Sequence, residues 1–375
     1  MESYSREACL SWLASAGLDP ESLRDLLESE QDPRRIYERF LHGEELFPDR
    51  PLPDRLRKVL RDNASERTMR RWQQLAGQYG IHGLTVTEDI YPDRLRPYAD
   101  APAILFYQGN PEILNAASSV SVVGSRSASL KGLEATRRIT EKLSANGIMI
   151  VSGLAYGIDA AAHQGCLKGE SPTAAVLGCG LDQDYPRENA GLRKEIMNRG
   201  GLILSEYAPG EKPLGWHFPY RNRIISGLGD CLVLMEARIR SGSMTTVQHA
   251  LNQGKDVFVY PGDPESPKCE GNRQLLREGA IFFTTADDLM EDMGWLDRKK
   301  DMGQNNERPA DSVLSGLSAP EKQIVLCLSR GEQSFDQLCD AAGLPAAQLN
   351  AALSMLQIQG LIRALPGKLY ALRTD

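Results

Sequence analysis

Several features are missing from this 375-residue chain, and each absence narrows what it can be. No apolar run approaches the roughly 20 residues that a membrane helix needs, so no membrane partner is expected. The polar opening MESYSREACL is not expected to act as a signal peptide. Cysteine is sparse and scattered: Cys9, Cys166, Cys179, Cys231, Cys269, Cys327 and Cys339 are odd in number and contain no C-x-x-C pair. That spacing argues against a disulfide framework or a zinc site and fits reduced thiols in a cytoplasm. The five histidines (His42, His82, His163, His217 and His249) are isolated, so no metal cluster is expected. Positive charge is not in excess. With 43 Lys and Arg against 50 Asp and Glu, the net charge of −7 excludes a protein that coats nucleic acid by bulk charge. Residues 120–290 balance at nineteen of each sign, so any polyanion site there must come from where the charges are placed. Two nucleotide signatures are also missing. There is no Walker A lysine motif, and the turn GSRSAS lacks the G-x-G-x-x-G spacing that lets backbone approach a pyrophosphate.

What is present falls into segments. Residues 1–75 read as a small helical domain, of SAM-like or helix-hairpin-helix kind. Asp19-Pro20-Glu21 is a helix start, a cap followed by proline in the first turn. Residues 76–118 form a connecting region rich in Pro, Gly and Asp. From 119 short apolar runs alternate with amphipathic stretches: SVSVVG, IMIVSG, TAAVLG, GLILSEY, CLVLMEA and DVFVYPG read as strands, with helical segments between and AIFFTT as a later strand. Strands apolar at consecutive positions and separated by helices indicate a parallel sheet covered on both faces. The expected fold of 119–296 is therefore α/β, a Rossmann-like doubly wound, mostly parallel sheet. Residues 297–315, charged and without apolar periodicity, read as a linker. Residues 316–375 give three short helices and two strands around a Pro-Gly turn, the winged-helix pattern. The stretch from Ala346 to Met355, where a recognition helix would fall, has no Lys or Arg. Major-groove readers normally carry them, which favours protein contact or packing there.

In an open parallel sheet, ligands bind outside the carboxyl ends of the strands. Those exits carry Gly124-Ser125-Arg126, Ser152-Gly153, Gly178-Cys179-Gly180 running on to Tyr185, Ser205-Glu206, and Glu236 ahead of Ser241-Gly242-Ser243. Glycine and hydroxyl residues gathered at one edge, near helix N-termini, make concave anion sites. A phosphate-bearing ligand is expected. Singly, each feature has a plainer reading: glycine for turn geometry, a solvated arginine, Tyr185 as packing before a proline, His163 and His249 as core residues. Glu206 and Glu236 could be a catalytic carboxylate pair or partners for arginines, and the second is preferred. The joint pattern outweighs its members.

These stretches, with SGSMTTVQHAL, VYPGDP and FPYRNRIISGLGDCLVLMEA in the same order, resemble the DNA-processing protein A (DprA/Smf) family over about 118–285. The resemblance implies a Rossmann-like domain that binds single-stranded DNA, a homodimer, and loading of the RecA recombinase onto that DNA in natural transformation. It implies no catalytic activity and no required cofactor. Carried over by motif, Arg126 and the Arg221-Asn222-Arg223 segment would line the DNA pocket. The chain departs from the pattern at Cys269-Glu270-Gly271-Asn272-Arg273, where a hydroxyl and an amide are replaced, so no contact is carried over there.

In FPYRNRIISG, Ile224-Ile225 would anchor the start of a helix, leaving Arg221 to Arg223 at its N-terminal end, which favours phosphate. Tyr185 is a candidate for base stacking. The expected DNA-binding set is Gly124, Ser125, Arg126, Gly153, Gly178, Tyr185, Arg221, Asn222, Arg223, Ser241, Gly242 and Ser243. The main rival is a nucleotide-processing, phosphoribohydrolase-like enzyme on the same fold, using Glu206 or Glu236. Such enzymes would be expected to show a Pro-Gly-Gly loop, whereas Pro261-Gly262 is followed here by Asp263. A regulator acting through the winged helix is disfavoured by the uncharged recognition face.

Overall fold

The computed structural model describes residues 4–47, 50–296 and 318–372, with 329–332, 343, 359–360 and 366–368 excepted. The stretch read as a linker, 297–315, and the Pro366-Gly367 turn lie outside the described residues. The chain divides into two units, Met1–Gly294 and Trp295–Asp375.

The first unit begins with five helices: α1 (Arg6–Ala14), α2 (Pro20–Ser29), α3 (Pro33–Leu41), α4 (Asp54–Asn63) and α5 (Glu66–Tyr79). Their starts follow capping chemistry. Asp19 accepts a hydrogen bond from the Ser22 amide at 2.8 Å with Pro20 in the first turn, and Asp32 caps α3 in the same way ahead of Pro33. Leu10, Trp12, Leu13, Leu27 and Ile36 are fully buried between these helices, and the Trp12 indole donates to the Leu60 carbonyl at 2.8 Å.

The segment read as a connecting region contributes two strands, β1 (His82–Thr85) and β2 (Ile104–Gly109). Seven further strands follow: β3 (Ser119–Val123), β4 (Met149–Ser152), β5 (Thr173–Leu177), β6 (Leu202–Ser205), β7 (Cys231–Leu234), β8 (Asp256–Val259) and β9 (Ile281–Phe282). All nine form one sheet in the order β1-β2-β6-β5-β4-β3-β7-β8-β9. β3 to β9 pair in parallel, while β2 runs antiparallel to both of its neighbours. The fold is thus the expected α/β doubly wound sheet. Two strands escaped sequence reading because Pro, Gly and Asp crowd the turns between them and mask short apolar runs. The crossovers include α6 (Leu130–Ala145), α7 (Ile158–Cys166), α8 (Ala190–Asn198), α9 (His217–Leu228), α10 (Gly242–Asn252) and α11 (Glu270–Arg277), with α12 (Ala286–Asp292) after the last strand. The order of connection reverses between β3 and β7, the topological switch point.

Buried strand hydroxyls fasten the helices around that point. Ser121 Oγ donates to the Ile225 carbonyl at 2.6 Å and Ser119 Oγ to Leu228 at 2.8 Å, tying the last turn of α9 to β3. Ile224 and Ile225 are buried beneath α9, each stabilising it by about 1.5–3 kcal/mol. His163 is a core residue: fully buried, it meets the Thr173 hydroxyl through Nδ1 at 2.7 Å, and burial pushes its pKa down to about 3. All seven cysteines are free. Among the described residues, no helix is long and apolar enough to cross a membrane.

The second unit has helices Ala319–Leu328, Phe335–Ala342 and Ala346–Ile358, and a three-stranded antiparallel sheet of Gln333–Ser334, Leu369–Leu372 and Ile362–Leu365. Ile324, Leu338, Leu349, Leu353 and Leu356 form its core. This is a three-helix and wing arrangement, with one short strand more than the sequence pattern disclosed.

Candidate nucleic-acid interface

The parallel strands all point their carboxyl ends the same way, so their exits meet at one edge. Between the turn after β3 and the segment after β7 lies an open cleft of about 630 Å³, with α9 along its third side. A smaller recess of about 40 Å³ opens beside it, between the exits of β4 and β5 and Tyr185.

The first wall is the Gly124-Ser125-Arg126 turn. The Ser125 amide donates to the Glu236 carbonyl at 2.7 Å, and the Ile158 amide donates to the Ser125 carbonyl at 3.2 Å. Close packing demands the glycines. A Cβ on Gly124 would fall 2.5 Å from the Ile158 side chain, and one on Gly157, where φ is +75°, would fall 2.2 Å from the Ser125 carbonyl oxygen. Held this way, the turn leaves Arg126 exposed at the rim, its guanidinium 5.5 Å from the centre of the Phe218 ring. The ring of Tyr185, 40% exposed, is centred 5.3 Å from that of Phe218, so Phe218 neighbours both a cation and a phenol.

The opposite wall is the start of α10. Ser241 occupies the N-cap position without capping the helix, and its hydroxyl is buried with no hydrogen-bond partner among the described residues. A Cβ on Gly242 would meet nothing within 4 Å, so the first turn of the helix is open to a ligand. Backbone amides at an uncapped helix start favour an anion. Asn222 of α9 is tied to this wall, donating from Nδ2 to the Gly242 carbonyl at 3.3 Å.

Eleven of the twelve residues singled out from sequence line the cleft or its recess; Arg223 does not. The placement of the R-N-R segment also needs correcting. α9 begins at His217, so Arg221 to Arg223 stand in its second turn and not at its N-terminal end. Two of the three side chains face inward. Arg221, only 3% exposed, forms the floor: it donates to the Gly153 carbonyl at 3.1 Å and to the Val176 carbonyl, binding the exits of β4 and β5 together. Burial lowers its pKa to about 10, which leaves it charged at neutral pH. Asp159 also meets Gly153, accepting from its amide at 3.1 Å, and there burial raises the carboxyl while Arg221 opposes the rise. A Cβ on Gly153 would strike both Asp159 and Arg221, within 2.8 Å of each. Arg223 is 2% exposed and grips Glu206 with two hydrogen bonds of 2.6 and 2.9 Å, while stacking at 3.9 Å on the Tyr220 ring. Burial pulls its pKa down, but the Glu206 carboxylate more than offsets this and the net direction is up.

The two carboxylates therefore part ways. Glu206 is an arginine partner, as preferred from sequence. Glu236 is not: it accepts from the Ser129 amide at 2.7 Å and hydroxyl at 2.6 Å, holding the start of α6. Neither lines the cleft. Asn272, in the stretch that departs from the family pattern, is fully buried and staples Ala237, Met235 and Tyr260 through its amide. Sequence reading missed Arg238, Phe218 and Asp159. Phe218 stood in the quoted motif. Arg238 lies in an irregular loop where no periodicity distinguishes a cleft residue from a solvated one.

An open doubly wound sheet with a cationic, amide-lined cleft at its switch point defines a Rossmann-like binding protein. Within that class the chain matches the family model of DNA recombination-mediator protein A over residues 82–294 and the DprA winged helix domain over 308–368. The chain belongs to the DNA recombination-mediator protein A (DprA/Smf) family. It is 44% identical to the DNA processing protein DprA of Streptococcus pneumoniae over 55% of this chain and 72% of that protein. It is 35% identical to protein Smf of Escherichia coli over 78% of each. The X-ray structure of the Streptococcus pneumoniae DprA superposes with a TM-score of 0.64 at 32% identity, covering 77% of this chain and 98% of that one. DNA processing protein A from Helicobacter pylori, reported for its single-stranded DNA binding mode, superposes with a TM-score of 0.52 at 29% identity, covering 57% and 95%.

Proposed function

We propose that the cleft at the β3–β7 switch point holds single-stranded DNA, and that the protein is a non-catalytic mediator that protects incoming strands and loads RecA onto them during natural transformation. The observation that carries the reading is the combination inside one open groove: exposed Arg126 for phosphate, Phe218 and Tyr185 for bases, and the unpartnered Ser241 hydroxyl at the open start of α10. Charge-assisted contacts supply affinity, and ring stacking accepts any base. Duplex binds more weakly, because its bases are not free to unstack into the groove. Arg221 serves as the floor and Arg223 as a buttress of α9. The family supports the remaining parts of the reading, including action as a cytoplasmic homodimer with RecA as partner and no cofactor. The rival hydrolase loses its carboxylates, since Glu206 and Glu236 are both engaged in holding structure.

The test is a titration of labelled single strands against wild type and Arg126→Ala. Arg126 is exposed, so the variant keeps its melting temperature while affinity falls about ten-fold, the scale of one lost charge-assisted contact. Unchanged affinity would refute the assignment of the groove. Nucleotide turnover by the purified wild type would point to the enzyme instead.

A further inference from the structure

The row of aromatic and cationic groups continues beyond the cleft. Residues 206–216 connect β6 to α9. At one end of this loop Gly215 lines the cleft, and the next residue, Trp216, is 64% exposed. Its ring is propped edge-on by His217 at 4.1 Å and Tyr207 at 6.5 Å, which leaves indole surface open to solvent. At the other end the loop docks on α5: the Trp72 indole donates to the Pro209 carbonyl at 3.1 Å, and a Cβ on Gly210 would lie 3.4 Å from Arg71 Nη2. The five residue-to-residue steps from Gly210 to Gly215 span at most about 17 Å, so Arg71 is a short reach from the cleft mouth.

Around Arg71 the charge changes sign. Residues 1–53 carry twelve Asp and Glu against six Lys and Arg, whereas residues 54–71 carry seven Lys and Arg against three Asp and Glu. On α5, Met69, Trp72 and Ala76 take the buried face, while Arg67 and Arg71, one turn apart, are exposed together. Arg70 is turned to Glu66 at 2.8 Å. The acids beside Gly210 are Glu211, followed in sequence by Lys212, and Asp182, which accepts from the Gly210 amide at 2.6 Å.

We propose that a single strand leaving the cleft stacks a base on Trp216 and lays its phosphates on Arg67 and Arg71 of α5, so that the helical domain extends the DNA path. This rests on the cleft reading above. An exposed ring between two cationic stations, continuous with the groove, fits a polynucleotide; an acidic peptide would use the cations but leave the tryptophan face idle.

The experiment uses the full chain and labelled oligothymidylates of about six and about twenty nucleotides, a short one to fill the cleft alone and a long one to run past it. Arg67→Gln/Arg71→Gln and Trp216→Ala should bind the short strand within about two-fold of wild type and the long strand about ten-fold more weakly. The double variant should also lower the log–log salt slope for the long strand by about 1.4, the value for two phosphates. Trp216→Phe should restore most of the loss. Unchanged affinity and slope on the long strand overturn the extension. So does equal weakening on both lengths, which would place these residues in the cleft itself. Wild type that binds neither length removes the cleft reading, and the extension with it.

Discussion

Single residues at this site divide by where their charge points. Arg126 and Arg223 stand in similar short motifs, yet one is an exposed guanidinium on a rim and the other is half of a buried ion pair. Truncating a buried partner leaves the other charge desolvated, so Arg223→Ala should destabilise the fold by about 3 kcal/mol, read as a lower urea midpoint with an unchanged slope. The fraction that remains folded should bind single strands nearly as wild type does. Lost binding without lost stability would mean that Arg223 contacts DNA after all. The sequence named all these arginines and could not sort them, because burial of a guanidinium depends on whether a carboxylate from a distant segment arrives to meet it. Glu206 does so from just after β6, seventeen residues earlier.

At the scale of elements, the helix starts decide the site. α6 begins on Ser129 with a side-chain cap on the Gly132 amide at 3.0 Å, reinforced by Glu236. α10 begins on Ser241 with no such cap. Replacing an N-cap serine by alanine ordinarily costs about 0.5–2 kcal/mol, but only where the side chain caps. Ser241→Ala should therefore leave the melting temperature unchanged or raise it, since a buried hydroxyl without a partner is relieved. The same substitution should weaken single-strand binding several-fold in the titration used for Arg126. A fall in melting temperature with intact binding would return Ser241 to an ordinary structural role. The strand exits themselves were legible from runs such as SVSVV and CLVL, and so were the glycines that close packing requires after β3 and β4, Gly124 and Gly153. The start of α9 was not: FPYRNR carries aromatics and a proline that mimic a loop, and only the tertiary structure, in which the first residue of the helix, His217, stacks on Tyr207, shows that the helix already runs through it.

For the whole molecule, electrostatics sets the working conditions. An acidic chain with a charge-balanced sheet region attracts DNA only through its placed cations, so binding should fall steeply with salt. If about three to five phosphates are neutralised, log affinity against log salt should have a slope of about −2 to −3.5 for a long single strand. A flat dependence would show that the guanidiniums take no phosphate. By itself the sequence determined the parallel strands, their covered faces, the edge at which their exits gather and the family, because apolar periodicity, turn glycines and motif order are properties of the chain read locally. Only the tertiary structure decided which arginines are open, which carboxylates are spent, and that α5 abuts the loop beside the cleft. Those depend on which distant groups meet in space and exclude water, and no local pattern encodes that meeting.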